Sequence, residues 1–169
     1  MSEPNRFVDD VRTLSDFADH IIVVCPRCSA DALVQALVYD DDEVAMAPVW
    51  MEPRRLTCTS CGLARDWTDR HTVHGAPVDP YFQLPLALQA PCAGHIVWAY
   101  NLEHADLLRR FVEAGQRTRT PEQGRQMSLV ERLPGWFTSA KNRDAVSRAL
   151  RQIAAEHPRR GPATGRGPG

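Results

Sequence analysis

Apolar and polar positions follow two different periods along this chain, and the change comes near residue 100. Residues 20–24, HIIVV, form a β-branched run, and residues 31–39, DALVQALVY, are dense in β-branched and aliphatic side chains; both predict strands. VAMAPVW (44–50), RRLTC (54–58), LARDW (63–67) and HTVHG (71–75) extend the series to a small antiparallel sheet, with Pro48 and Pro53 confining their strands to edges or ends. Asp40, Asp41, Asp42 and Glu43 read as a solvated turn. Upstream, Phe7, Val11, Leu14 and Phe17 are spaced as one face of a short helix, so residues 1–19 are expected to be an acidic helical lead-in. Downstream, DPYFQLPLALQAP (79–91) reads as a proline-punctuated connection.

HIVWAY (95–100) predicts a short buried strand, in which Trp98 and Tyr100 share a face and serve core packing more readily than base stacking. Asn101 then stands as an N-cap, and Leu102, Ala105, Leu108, Phe111 and Val112 line one face of a helix that Gly115 is placed to end. QRTRTPEQGRQM (116–127) holds almost nothing apolar and predicts a mobile loop. Ser128 with Glu131 makes a capping-box signature for a short helix stopped by Pro134 and Gly135, beside which Trp136 reads as a packing anchor. A last helix over 142–156 carries an apolar stripe of Ala145, Val146, Ala149, Leu150 and Ile153. The expected class is α+β, with a metal-bearing antiparallel sheet over 20–75, a strand plus mainly helical module over 76–156, and a disordered Gly/Pro/Arg tail over 157–169.

Composition narrows the function classes. No apolar run approaches the roughly 20 residues that cross a bilayer, and the N-terminus lacks a basic segment followed by a long apolar one, so a cytoplasmic protein with no membrane partner is expected. The formal net charge of −1 conceals an asymmetry: residues 1–102 hold 7 basic and 14 acidic residues, and residues 103–169 hold 13 basic and 7 acidic. A basic half suits a phosphate-rich partner, because neutralising phosphates releases counterions; it can equally complement the acidic half within the molecule. Lys141 is the single lysine, and arginine binds phosphate and carboxylate alike in a bidentate fork.

The cysteines carry the clearest chemistry. VCPRCSA and TCTSCGL supply Cys25, Cys28, Cys58 and Cys61, two Cys-x-x-Cys pairs in strand context. A two-residue spacing lets a tight turn aim both thiolates at one ion while turn amides stabilise the sulfur charge, and Gly62 suits the positive φ such a turn needs. Four cysteines fill the tetrahedral shell of one Zn²⁺, which leaves no position for water or substrate and predicts a structural ion. Disulfides are disfavoured in a cytoplasmic chain whose fifth cysteine would be left over. This knuckle, strand, knuckle order over 21–74 resembles a zinc ribbon of the transcription-factor-IIB type. The whole chain, with WAYN (98–101), LPGWF (133–137) and AKNRD (140–144), is similar to bacterial zinc-ribbon proteins of uncharacterised function. The resemblance implies two knuckles clamping a three-stranded antiparallel sheet; zinc ribbons bind nucleic acid, bind proteins, or brace larger enzymes. The acidic insert at 40–43 departs from a compact ribbon and argues against that tip lying on a phosphate backbone.

His71, His74, Cys92 and His95 form a second candidate metal set, two pairs at x-x spacing. On a strand His71 and His74 would point to opposite faces, whereas Ala93-Gly94 can turn tightly between Cys92 and His95. The plainer reading is a buried small thiol and a hydrogen-bonded histidine at a strand start. A hydrolase reading would take Cys92 as nucleophile, His95 or His104 as base and Asn101 as orienting amide. No phosphate-cradling glycine loop, Gly-x-Ser-x-Gly elbow or HExxH is present. Lys141, Arg143, Arg148 and Arg151 are the candidate phosphate-facing residues, with Arg119, Arg125, Arg159, Arg160 and Arg166 adding reach. The expectation is therefore a non-enzymatic binding protein with one structural zinc and nucleic acid as the leading ligand class. A protein–protein adaptor docking on a larger complex, and the hydrolase, are the alternatives; oligomeric state is not encoded in any motif.

Overall fold

The computed structural model describes residues 6–37, 52–68, 72, 74–114, 116–119 and 127–157. It is an α+β protein whose N-terminal half holds a four-stranded antiparallel sheet and whose C-terminal part is mainly helical. The sheet runs β2 (His20–Val24), β3 (Asp31–Ala36), β4 (Arg54–Thr57), β5 (Ala64–Trp67) in meander order. Its register places Ile21 opposite Val34 and Val34 opposite Leu56, so the period-two apolar positions stack on one buried face.

The free edge of β2 is occupied by the C-terminal half. Ile22 donates to the Tyr100 carbonyl at 2.8 Å, Ala87 donates to Ile22 at 3.0 Å, and Val24 donates to Pro85 at 2.9 Å. Leu86 and Leu88 follow this backbone into the core, and one apolar cluster runs from Ile21, Val34 and Leu56 through Tyr100 to Leu108 and Leu150. A hairpin of β6 (Gln89–Cys92) and β7 (His95–Trp98) turns at Ala93 and Gly94, both at positive φ (50° and 78°). Two consecutive positive φ values suit the right-handed twist of the flanking strands, which is how a two-residue loop closes here. Residues 89–91, expected as the end of a connection, thus belong to strand β6; Pro91 is tolerated because its exposed position opposite Ile96 lies in a two-stranded ribbon.

The two longer helices among the described residues are α1 (Leu102–Glu113) and α3 (Arg143–Glu156), the latter one residue from its expected start. They pack against each other, with Glu113 of α1 accepting from Ser147 and Arg151 of α3, while Leu107, Leu108, Phe111 and Val112 on one and Val146, Ala149, Leu150 and Ile153 on the other are buried in the core. The Asn101 cap is as expected, its Oδ1 accepting from the His104 amide at 2.9 Å. Gly115 lies outside the described residues, and the Ala114 amide closes the helix on Arg110 at 3.1 Å.

Two further expectations are corrected. The lead-in is not a helix along 1–19: residues 6–9 form β1 (Arg6–Asp9), and only 14–17 make a single 3-10 turn. Phe7 and Asp9 alternate with exposed neighbours, and Val11 sits at φ 58°, where a right-handed helix cannot continue. The second correction follows: residues 116–119 are not loop but β8 (Gln116–Arg119), paired in parallel with β1. The short helix expected after Ser128 is the 3-10 turn Val130–Arg132, which ends at Leu133 just before Pro134 as expected; Pro134, pre-setting an extended cap, then opens the one-turn α2 (Gly135–Thr138). Half of the expected capping box forms, with the Ser128 amide donating to Glu131 at 2.8 Å while its hydroxyl turns to the buried Asp9. Thr72 and His74 are not in strands; the insert at 40–43, the strand expected over 44–50 and the tail from 158 lie outside the described residues.

Candidate metal centre

The two Cys-x-x-Cys pairs occupy the β2–β3 and β4–β5 turns, and in a meander alternate turns fall at the same end of the sheet. Both turns have the same internal wiring. Cys25 donates to the Ala30 carbonyl at 2.8 Å and accepts from the Ser29 amide at 2.9 Å; Cys58 donates to Leu63 at 2.9 Å and accepts from the Gly62 amide at 2.9 Å. Each therefore needs positive φ four residues after its first cysteine, at Ser29 (61°) and Gly62 (71°). Glycine supplies this freely in the second knuckle, and the first accepts the small strain of a serine.

The four sulfurs converge. All lie within 4.8 Å of one another, with Cys25 Sγ 3.7 Å from Cys61 Sγ and Cys28 Sγ 3.6 Å from Cys58 Sγ. Four thiolates at a Zn–S distance of about 2.3 Å define a tetrahedron of edge about 3.8 Å, close to these separations, whereas a disulfide needs about 2.05 Å. The Arg27 amide points at Cys25 Sγ from 3.4 Å, a donor suited to stabilising charge on a ligating sulfur. Cys25 and Cys58 are buried, Cys61 is half-buried and Cys28 exposed, so the centre lies at the rim of the core.

The thiols divide their protons unequally. Burial pushes the Cys25 thiol up, but the Arg27 and Cys28 amides and the neighbouring sulfurs outweigh it and bring it down to about 6. Against the Ala30 amide, which pulls it down, burial and hydrogen bonds with Cys58, Cys61 and Cys25 push Cys28 up to about 12. Four sulfurs this close cannot all ionise without a compensating cation, and a divalent metal ion is the group this donor set fits.

Fold and site together define an α+β protein with four cysteines positioned to bind one metal ion. Scanned against protein-family models the chain finds no match, and searches of curated proteins and of solved structures likewise return none.

The other candidate residues are placed as follows. Among the described residues, the knuckle cysteines are the one group of three or more potential ligands close enough to share an ion; His71 lies outside those residues. His74 Nε2 is 3.2 Å from Thr72 Oγ1, and burial lowers its pKa. Cys92 and His95 face each other across the β6–β7 register; burial raises the Cys92 thiol, opposed by Arg148, while the His95 ring stacks on Trp136 at 4.3 Å with planes 6° apart. His104 is 2% exposed, accepts from the Tyr100 amide on Nδ1 at 3.2 Å and stacks on Phe17. Burial, helped by the Arg12 charge, brings its pKa down to about 3, so it is a neutral acceptor inside the core.

Lys141, Arg143 and Arg148 are exposed, and no carboxylate among the described residues pairs with them. Arg151 differs: it bonds Glu113 through Nε at 2.9 Å, the same carboxylate that takes Ser147 and Arg109. Sequence reasoning overlooked a buried polar cluster beneath the sheet. The fully buried Arg54 guanidinium donates to the Ala18 carbonyl and lies 4.5 Å over the Tyr81 ring; Asp79 accepts from the Tyr81, Phe82 and Leu84 amides. An arginine in the period-two register of Leu56, therefore inward, was the one signal available.

Proposed function

We propose that this is a non-enzymatic zinc-ribbon binding protein in which Cys25, Cys28, Cys58 and Cys61 hold one structural zinc and the C-terminal half binds nucleic acid. The observation carrying this reading is the set of sulfur separations, 3.6 and 3.7 Å within a cluster spanning 4.8 Å, which suits a closed tetrahedral thiolate shell. A shell completed by protein leaves no open position for substrate, so the ion's role is to hold two turns that the rim of the core holds weakly. Nucleic acid is supported by the exposed cations Lys141, Arg143 and Arg148, with which no carboxylate among the described residues pairs: among residues 133–155 Asp144 is the single acidic side chain. The hydrolase alternative draws little support, because the His104 ring is enclosed and serves as an acceptor for the Tyr100 amide.

Elemental analysis of the purified chain is expected to return one zinc per molecule, and stripping it with a strong chelator to abolish the cooperative melting of the sheet. A stripped protein that melts as before would overturn the structural role. The nucleic-acid reading predicts oligonucleotide binding that weakens as salt rises and is impaired by Arg148→Glu. Absence of binding to every oligonucleotide at low salt defeats it, and capture of a single stoichiometric protein would then favour the adaptor.

A further inference from the structure

Where α2, the 3-10 turn at Ala140–Asn142, the start of α3 and the β6–β7 hairpin end meet, the molecule presents flat rings among cations. His95, exposed beside the Ala93-Gly94 tip, lies parallel to Trp136 at 4.3 Å and 6°. The buried Phe137 meets the indole edge-on at 5.5 Å, and Asn142 Nδ2 donates to the Trp136 backbone carbonyl at 2.9 Å, so the ring is packed on one edge and its backbone is tied to the next turn. That same asparagine is flanked in the chain by the exposed Lys141 and Arg143, so both cations are carried on the short segment tied to Trp136. Arg148 lies close enough to Cys92 to act on its thiol electrostatically, and Cys92 is the cross-strand partner of His95.

Resting on the nucleic-acid reading above, we infer that the ligand is single-stranded nucleic acid, with the His95–Trp136 pair as a base-stacking platform and Lys141, Arg143 and Arg148 as phosphate contacts. A parallel ring pair offers a π-face to any base, but a base inside a duplex already spends both faces on its neighbours. A flat platform flanked by cations therefore selects unpaired bases, while cations alone serve either form. Neither ring needs this arrangement for burial alone, since His95 remains exposed and Trp136 half-buried.

The test is fluorescence anisotropy of the zinc-loaded full chain with labelled oligothymidylate, oligouridylate and a duplex DNA of equal length, across a salt series. The single strands are expected to bind about tenfold or more tightly than the duplex, from one stacked base. Three phosphate contacts give a slope of log affinity against log salt of about −2 for single strands. His95→Ala and Trp136→Ala should each weaken single-strand binding about fivefold or more and leave the duplex unchanged, with Trp136→Phe restoring most of the loss. Zinc content and far-ultraviolet circular dichroism verify folding, and the exposed His95 supplies a variant that does not enter the core. If duplex and single strand bind equally and His95→Ala changes neither, the platform is refuted while nucleic-acid binding stands; if no oligonucleotide binds, both fall. Preference between the thymidylate and uridylate strands distinguishes DNA from RNA.

Discussion

Asn101 supports a prediction that separates two roles of a single side chain. Its Oδ1 caps α1 through the His104 amide at 2.9 Å, and its Nδ2 donates to the Phe17 carbonyl at 2.9 Å and the His20 carbonyl at 3.0 Å, all at a residue 1% exposed. Asn101→Ala removes a cap worth about 1 kcal/mol and leaves two enclosed carbonyls short of a donor at about 1 to 2 kcal/mol each, a total of about 3 to 5 kcal/mol. With a urea slope of about 2 kcal/mol/M, the unfolding midpoint should fall by about 1.5 to 2.5 M. Asn101→Asp is the sharper variant. Aspartate caps helices as well as asparagine does, yet it has no hydrogen to give the two carbonyls and would set a buried carboxylate against them. If the cap dominated, the aspartate variant would equal the parent; if the two donor bonds dominate, it should be no more stable than the alanine variant. Urea titration of the zinc-loaded chain at neutral pH decides, and an aspartate variant within about 0.5 kcal/mol of the parent would refute the assignment.

Further outcomes follow from the other sites. Cys25→Ser should abolish stoichiometric zinc and the cooperative transition, whereas Cys92→Ser should keep its zinc; equal zinc loss in both, measured by elemental analysis, would contradict the placement of the centre. His104, held near 3 in the fold against an ordinary value of about 6.5, contributes stability that is present above about pH 6.5 and is lost as pH falls toward 3, at up to about 1.4 kcal/mol per pH unit. Proton NMR of its ring should show no titration down to about pH 4, and a midpoint near 6.5 would disprove its burial. Arg151→Glu should cost about 1 kcal/mol by setting two carboxylates at Glu113, while Arg148→Glu leaves the melting temperature unchanged, as calorimetry can compare.

What could be read in advance was local in the chain. The cysteine pairs, the Asn101 cap and the strands at 20–24 and 54–57 each declare themselves within a few residues, since thiolate spacing, capping and side-chain alternation are short-range constraints. The β1–β8 pairing joins residues 6–9 to 116–119, and neither four-residue segment has enough apolar periodicity to announce a strand without its partner. Beyond its register with Leu56, the burial of Arg54 had no local signature, because the features that make it tolerable, the Ala18 carbonyl and the Tyr81 ring, come from segments 36 residues before and 27 after it. The stack of His95 on Trp136 was invisible for the same reason: each residue had a local explanation, as a strand start and as a helix anchor, and the juxtaposition is a product of tertiary packing.

The position of both cysteine pairs on sequence-adjacent hairpins bears on synthesis at the ribosome. All four ligands have been made once residue 61 is added, but the segments that cover the sheet, around Leu86, Leu88 and Tyr100, come later. At about 5 to 20 residues per second, reaching residue 100 takes roughly two to eight seconds more. During that interval Ile21, Val23, Val34 and Leu56 lack the cover that Leu86, Leu88 and Tyr100 later provide. An ion captured in that interval would tie the two cysteine turns together before the later segments close over the sheet.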